Sequence, residues 1–150
     1  MTANAWQIFD GFLEQIGNEA HDLNATDTIK MALHTSSWTP APTTDVSQSA
    51  LGNEVANANG YTTGGDTVAA TYTATAGTLT FDVADGSWTA SGGSITARYA
   101  VLYNDSSPGA ENDLIAYLLL DNTPADVTAT DGNTFTVAIH ATGVFTEAQV

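Results

Sequence analysis

The three histidines are the first residues to consider for catalysis or metal binding. His21, His34 and His140 stand far apart, without the H-E-x-x-H or H-x-x-E-H spacing of zinc enzymes, and the chain has no cysteine. Zinc sites in proteins use nitrogen and thiolate ligands at short, regular spacings. The pattern therefore favours solvated or hydrogen-bonded histidines at strand ends over a metal centre.

Carboxylates and hydroxyls are abundant, but they do not form a known catalytic motif. A glycosidase needs two carboxylates in a cleft, usually with aromatic and basic residues that hold the sugar; here 17 acidic residues face only two basic ones. No G-x-S-x-G sequence marks a nucleophilic serine. The glycine-rich residues 60–65 lack the lysine of a phosphate-binding loop. We therefore expect no enzymatic activity.

Calcium is the one cofactor that the sequence leaves open. Carboxylate and carbonyl oxygens are its preferred ligands, and they could converge where strands end. Five aspartates fall at predicted strand ends: Asp82, Asp85, Asp121, Asp126 and Asp131. No EF-hand loop is present, and aspartate is also a common turn former. We predict that the fold survives in a chelator.

The charge balance limits the classes of partner. Lys30 and Arg98 are the only cations, and the formal net charge is −15. Because phosphate binding requires clustered cations, direct contacts with nucleic acid and with anionic membranes are disfavoured. Arg98 falls in the middle of a predicted strand among many carboxylates. It fits either a surface ion pair of small energetic value or a partly buried pair that fixes strand register or a subunit contact.

The first 20 residues carry the only helical pattern. Apolar side chains recur at steps of three and four, which predicts an amphipathic helix within residues 1–20. They are Trp6, Phe9, Phe12, Leu13 and Ile16. We expect the face formed by Trp6, Phe9, Phe12 and Ile16 to be buried, either on a sheet or against another subunit.

Residues 27–145 are predicted to form a β domain, within a single domain of residues 1–150. Threonine, valine and aromatic residues alternate in short runs that are separated by glycine, aspartate and asparagine. The predicted strands are residues 28–35, 67–75, 78–83, 87–90, 94–103, 114–120 and 134–140. Residues 28–35 are expected to be half-buried, and residues 114–120 buried on both faces. The pattern predicts a mainly β fold, an antiparallel β-sandwich or jelly-roll-like domain or a partial barrel, with one N-terminal helix.

Residues 36–59 are predicted to be a long loop. They contain Pro40 and Pro42 and show no hydrophobic period. Loops of this length in a compact domain are uncommon and are often functional. We expect Trp38, Leu51 and Val55 to anchor a neighbouring protein, and removal of residues 43–53 to abolish docking without unfolding the domain.

Membrane insertion and secretion are not indicated. The longest apolar run, residues 114–120, is far shorter than the roughly 18 residues of a membrane span. The first residues lack the cationic stretch that opens a secretory signal. We expect synthesis in the cytoplasm.

Several segments occur in an order shared with a known group of proteins. They are Phe12 and Ile16, residues 21–23, 27–37, 60–65, 85–88, 97–103 with Asp105, and 143–145. In this order they resemble small virion structural proteins of tailed bacteriophages, of the head decoration or tail-associated type. The resemblance spans most of the chain. It implies a short helix followed by a β domain, a place in the virion and protein partners.

The resemblance implies one leading function, and two others stay open. The leading one is a capsid decoration or cement protein that binds the major capsid protein or other virion proteins and assembles with itself, a homotrimer being one option. The alternatives are a tail, neck or fibre-associated protein, and a carbohydrate-binding adhesin module that uses Trp38, Trp88 or Tyr61 as stacking platforms. The predicted interface residues are Trp6, Phe9, Phe12, Ile16, Trp38, Leu51, Val55 and Arg98.

Overall fold

The computed structural model describes residues 4–17, 21–23, 26–106, 113–123 and 125–148. Every pairing between its strands is antiparallel, which confirms the mainly β fold with a short N-terminal helix. In chain order the elements are β1 (Gln7–Ile8), α1 (Asp10–Gly17), β2 (Ile29–His34), α2 (Gln48–Leu51), β3 (Asp66–Thr67), β4 (Ala70–Thr75), β5 (Thr78–Val83), β6 (Gly86–Thr89), β7 (Ile95–Ala97), β8 (Tyr99–Asn104), β9 (Asp113–Leu119), β10 (Val127–Ala129), β11 (Thr134–Val137) and β12 (Phe145–Ala148).

The largest sheet has five strands in the order β1-β9-β8-β2-β3. Its central strand, β8, pairs with β2 on one side and with β9 on the other. Leu102 of β8 lies opposite Met31 of β2 and Ala116 of β9. A three-stranded sheet has the order β12-β5-β4, and two strand pairs, β10-β7 and β11-β6, complete the β structure. Sandwich-like packing places the main apolar core between the large sheet and these smaller sheets.

The central strands of the large sheet are buried on both faces. One face of β2 contributes Met31 and Leu33 to the main core, while Ala32 on the other face joins a second apolar cluster with Trp38 and Leu51. Ala32 and His34 have no exposed surface. The expectation that residues 28–35 are half-buried is therefore wrong, because residues 36–55 cover the face that was assigned to solvent. The double burial expected of residues 114–120 is observed over most of β9.

The helix is shorter than predicted, and Trp6 lies outside it. Residues 7 and 8 form β1, which pairs with Tyr117 and Ala116 at the edge of β9. The Phe9 amide continues this contact by donating to the Ile115 carbonyl. Residues 7 and 8 pair with a sheet edge that would otherwise be open, and this pairing outweighs the helical periodicity of the N-terminal segment. Residues 1–3 and 18–20 of the predicted helical segment lie outside the described residues.

Residues 36–59 are folded onto the domain. They contain α2, and isolated bridges join His34 to Glu54 and Ser47 to Asp113. The Val55 amide also donates to the Leu33 carbonyl. The segment shows no hydrophobic period because long-range contacts with β2 and β9 fix its conformation.

The predicted strand 94–103 is divided at Arg98. β7 pairs with β10, whereas β8 joins the large sheet. Arg98 is the residue at which the chain passes from one sheet to the other, so its mid-strand assignment is corrected. The sequence did not predict β1, β3, β10 and β12 as separate strands. The first three contain only two or three residues, too few to show an alternating pattern.

Candidate functional site

The apolar residues of the predicted docking loop are buried inside the domain. Trp38, Leu51 and Val55 expose 9% or less of their surfaces. The Trp38 ring packs against His34, Tyr99 and Tyr117 at centroid distances of 4.9, 5.2 and 5.9 Å. A partner could reach these three side chains only if the loop opened. Removal of residues 43–53 would uncover the second apolar cluster, so we now expect that deletion to unfold the domain.

The N-terminal candidates divide into buried and accessible residues. Phe9 and Phe12 have no exposed surface, whereas Leu13 is 59% and Ile16 37% exposed. Trp6 is half-buried. Burial within the domain therefore holds for the two phenylalanines, whereas Ile16 lies on the outer side of a helix of only eight residues. Its burial against another subunit stays a prediction.

Arg98 forms an ion pair with Asp126. Its Nε donates to Asp126 Oδ1 at 2.6 Å, and the two side chains are 18% and 35% exposed. The Arg98 amide donates to the His34 carbonyl, and its carbonyl accepts from the Leu120 amide. The backbone bonds hold the junction between β7 and β8 in place. An ion pair with this exposure adds about 1 kcal/mol or less.

The proposed sugar platforms are not accessible. Trp38, Trp88 and Tyr61 are 5%, 3% and 2% exposed. Stacking on a sugar requires an open aromatic face, which these buried rings do not offer. The adhesin hypothesis is therefore wrong for these three residues, and Trp88 is a core residue.

A hydrogen-bonded network connects β2, the turn at residues 60–65 and β8. The Tyr61 hydroxyl donates to Glu54 Oε1 at 2.6 Å and accepts from the Leu33 amide. The same Glu54 oxygen accepts from the Gly64 amide, and the Tyr103 hydroxyl donates to the Gly64 carbonyl at 2.6 Å. Burial, followed by the hydrogen bond to Glu54, raises the pKa of Tyr61 above its usual value. Its hydroxyl is thus a protonated structural donor. No pattern in the sequence indicates this role of Glu54.

His34 is a fully buried member of a second network. Its Nδ1 lies 3.0 Å from the Gly52 carbonyl, and its Nε2 lies 3.0 Å from Gln48 Nε2. A carbonyl only accepts, so Nδ1 carries the proton and Nε2 accepts from the Gln48 amide. Burial lowers the pKa of His34 although Glu54 and the two hydrogen bonds oppose the change. The neutral ring thereby ties β2 to residues 48–52.

His21 connects the helix to the end of β8. Its Nε2 donates to Gln15 Oε1 at 2.8 Å, and its Nδ1 accepts from Asn104 Nδ2 at 3.0 Å. The ring also packs against Phe12 at 5.0 Å. Burial lowers the pKa of His21, while Asp113 and Asp27 oppose this effect.

His34, which is buried, and His21, which is half-buried, predict a loss of stability in mild acid. Both pKa values are lowered from 6.5 in the folded protein, so the unfolded chain binds more protons as the pH falls below that value. The free energy of unfolding should therefore be fully retained above pH 6.5 and should decrease by up to about 1.4 kcal/mol per histidine per pH unit below it. Urea titrations at about pH 7.5 and about pH 5.5 measure the change.

Charge repulsion within the folded protein predicts the opposite change in stability on acidification. Protonation reduces the net charge of −15, which by itself would stabilise the compact state. A free energy of unfolding that rises or stays constant on acidification would contradict the prediction. His140→Gln changes an exposed histidine and is the control, because it should leave the acid-induced loss intact.

The five aspartates considered for calcium accept hydrogen bonds from groups within the domain. Asp85 Oδ1 accepts from the Ile139 amide and Asp131 Oδ1 from the Gly92 amide, each at 2.8 Å. Asp82 accepts from the following amide, Asp121 from Thr123, and Asp126 from Arg98. Among residues 4–17, 21–23, 26–106, 113–123 and 125–148, no three His, Asp or Glu side chains are grouped as metal ligands. Fold retention in a chelator stays a prediction.

The comparisons with known proteins give no relative. No family model matches the chain, and no curated protein or solved structure matches it. Within the described residues, no helix has the length and apolar character needed to span a membrane.

Proposed function

We propose that the protein is a non-catalytic structural protein of a tailed-bacteriophage virion, and that it decorates the outside of the head as a cement protein. The observation that carries the proposal is the position of the segments with the phage resemblance. β2, the turn at residues 60–65 and β8 come from three of those segments, and they contact one another directly. The shared residues thus build one framework.

The chemistry of this framework supports a structural role. The hydroxyls of Tyr61 and Tyr103 are used in bonds to Glu54 and to backbone groups. Both rings are almost fully buried. Polar groups that are buried and satisfied in this way specify a single packing arrangement and are not presented to a substrate.

The surface charge supports protein partners. Lys30 lies 2.8 Å from Asp105, and Arg98 pairs with Asp126, so both cations of the chain are already paired within it. The remaining acidic excess favours docking on a basic protein surface, or contacts through uncharged regions. The major capsid protein and other virion proteins are the proposed partners.

Imaging of particles that lack this protein tests the proposal. We expect cryo-electron micrographs to show the loss of a regular external density from the head, and the heads to become less resistant to osmotic shock. Complementation with the wild-type chain is the control. A change confined to the tail, neck or fibres would support the tail-associated alternative. Particles of unchanged composition and shape would refute a virion role.

A further inference from the structure

Strand β4 forms an exposed edge of the three-stranded sheet. It pairs with β5 on one side, and among the described residues no strand pairs with its other side. Thr73, Ala74 and Thr75 are exposed, and a two-residue turn at Ala76 and Gly77 connects the strand to β5. Edge strands of this kind offer unpaired backbone groups to another chain.

The pairing register identifies which backbone groups point outward. The Ala84 amide donates to the Ala69 carbonyl, so odd-numbered residues of β4 are bonded to β5. In an antiparallel pair the alternate residues direct their amides and carbonyls away from the partner. Tyr72 and Ala74 therefore present their backbone groups at the open edge.

Strand β4 itself carries no charge, although Asp22 lines the same surface pocket as Tyr72. Residues 67–81 contain no Asp, Glu, Lys, Arg or His, although the chain as a whole has a net charge of −15. The opposite edge of the same sheet, β12, carries Glu147, and the β3 edge of the large sheet carries Asp66. Natural edge strands are usually protected by charges, prolines or bulges. β4 contains only Ala, Thr and Tyr, so it has neither a charged residue nor a proline.

We propose that β4 is the contact between two copies of this chain, which pair through it in antiparallel orientation. A basic partner would gain nothing from an uncharged edge and would be attracted to the acidic surfaces. Two acidic copies, by contrast, repel each other least where neither carries charge. The lack of charge on the strand thus favours a second copy over a basic partner at this edge. The inference deepens the proposed function by naming one contact through which a virion protein assembles with itself.

We propose the register whose two-fold axis lies at Thr73, which is one of those that the outward-facing groups allow. Tyr72 of one copy lies opposite Ala74 of the other, and each such pair exchanges two backbone hydrogen bonds. Thr73 then lies opposite its own copy at the two-fold axis. The two three-stranded sheets merge into a continuous six-stranded sheet, with the order β12-β5-β4 repeated in reverse.

A matched pair of variants tests the proposal in purified protein. Thr73 and Thr146 lie on either side of Thr80 in the same row of the sheet, and both are exposed. T73E places two like charges opposite each other at the axis, whereas T146E adds the same charge to the far edge. In sedimentation equilibrium we expect T73E to weaken dimerisation by about ten-fold or more and T146E by less than about two-fold. Wild-type dimerisation should strengthen with salt, which screens repulsion.

Cysteine crosslinking provides a second readout, because the natural chain has no cysteine. At the proposed axis the two Thr73 Cα atoms should be about 4.5 Å apart, within disulfide range. T73C should form a covalent dimer on oxidation and T146C should not. A wild-type chain that stays monomeric at millimolar concentration and high salt would overturn the proposal, as would equal behaviour of the two glutamate variants. A chain without dimers could still bind particles, so the virion proposal is tested separately.

Discussion

Replacing Gly65 with alanine is expected to lower the free energy of unfolding by more than about 4 kcal/mol, a range reached only by severe conflicts. Gly65 has a φ of +66°, and an added Cβ would overlap the Met31 carbonyl oxygen. β2 cannot move away easily, since Met31 is paired with Asp66 of β3 and Leu102 of β8. Thermal and urea unfolding, followed by circular dichroism, measure the effect.

Gly92→Ala is the matched control for this substitution. Gly92 also has a positive φ, of +78°, but an added Cβ would meet nothing within 4 Å. Only the backbone strain of a left-handed alanine should remain, about 1–2 kcal/mol. Equal losses in the two variants would show that the contact with β2 is looser than the structure indicates.

The close approach at Gly65 explains why residues 60–65 are rich in glycine. Gly64 donates its amide to Glu54 and accepts from Tyr103 through its carbonyl, so the turn is bonded on both sides. Gly65 then lets the chain cross directly over the backbone of β2. Glycine at position 65 is thus a packing requirement for a turn that contacts both β2 and β8.

The strands that the sequence predicted best are those with a strong local pattern. β5 begins at Thr78 and ends at Val83, as predicted, because a two-residue turn precedes it and an Asp-Gly pair follows it. β9 was predicted from a continuous apolar run, and such a run is typical of a strand that is buried on both faces. In both cases the information lies within about ten neighbouring residues.

Long-range contacts account for most of the errors. The spacing of Trp6 and Phe9 fits a helix, yet residues 7 and 8 pair with β9, more than 100 positions away along the chain. The burial of Ala32 and His34 depends in the same way on Trp38 and Leu51, which reach the outer face of β2 through an aperiodic segment. No local pattern specifies either contact.

The candidate site was predicted less well than the fold. Apolar residues in a polar segment suggested docking anchors, but Trp38 and Leu51 belong to the second core cluster. The open edge at β4 was present in the sequence as a run without charge, although its significance appears only when the strand order places it at the end of a sheet. The exposure of this strand at a sheet edge could therefore be recognised only in the structure.

Replacing Phe12 with alanine is expected to lower the free energy of unfolding by about 3–5 kcal/mol. The ring has no exposed surface, and it packs edge-on against Phe145 at 5.9 Å and beside His21 at 5.0 Å. Its removal would leave a cavity between the helix and β12. Leu13→Ala is the control in the same helix, because Leu13 is 59% exposed and its loss should change stability by about 0.5 kcal/mol or less. Chemical denaturation of both variants measures the two changes in the free energy of unfolding. A decrease below about 1 kcal/mol for Phe12→Ala would mean that the helix is not part of the core. The helix would then be a free arm, available to another subunit.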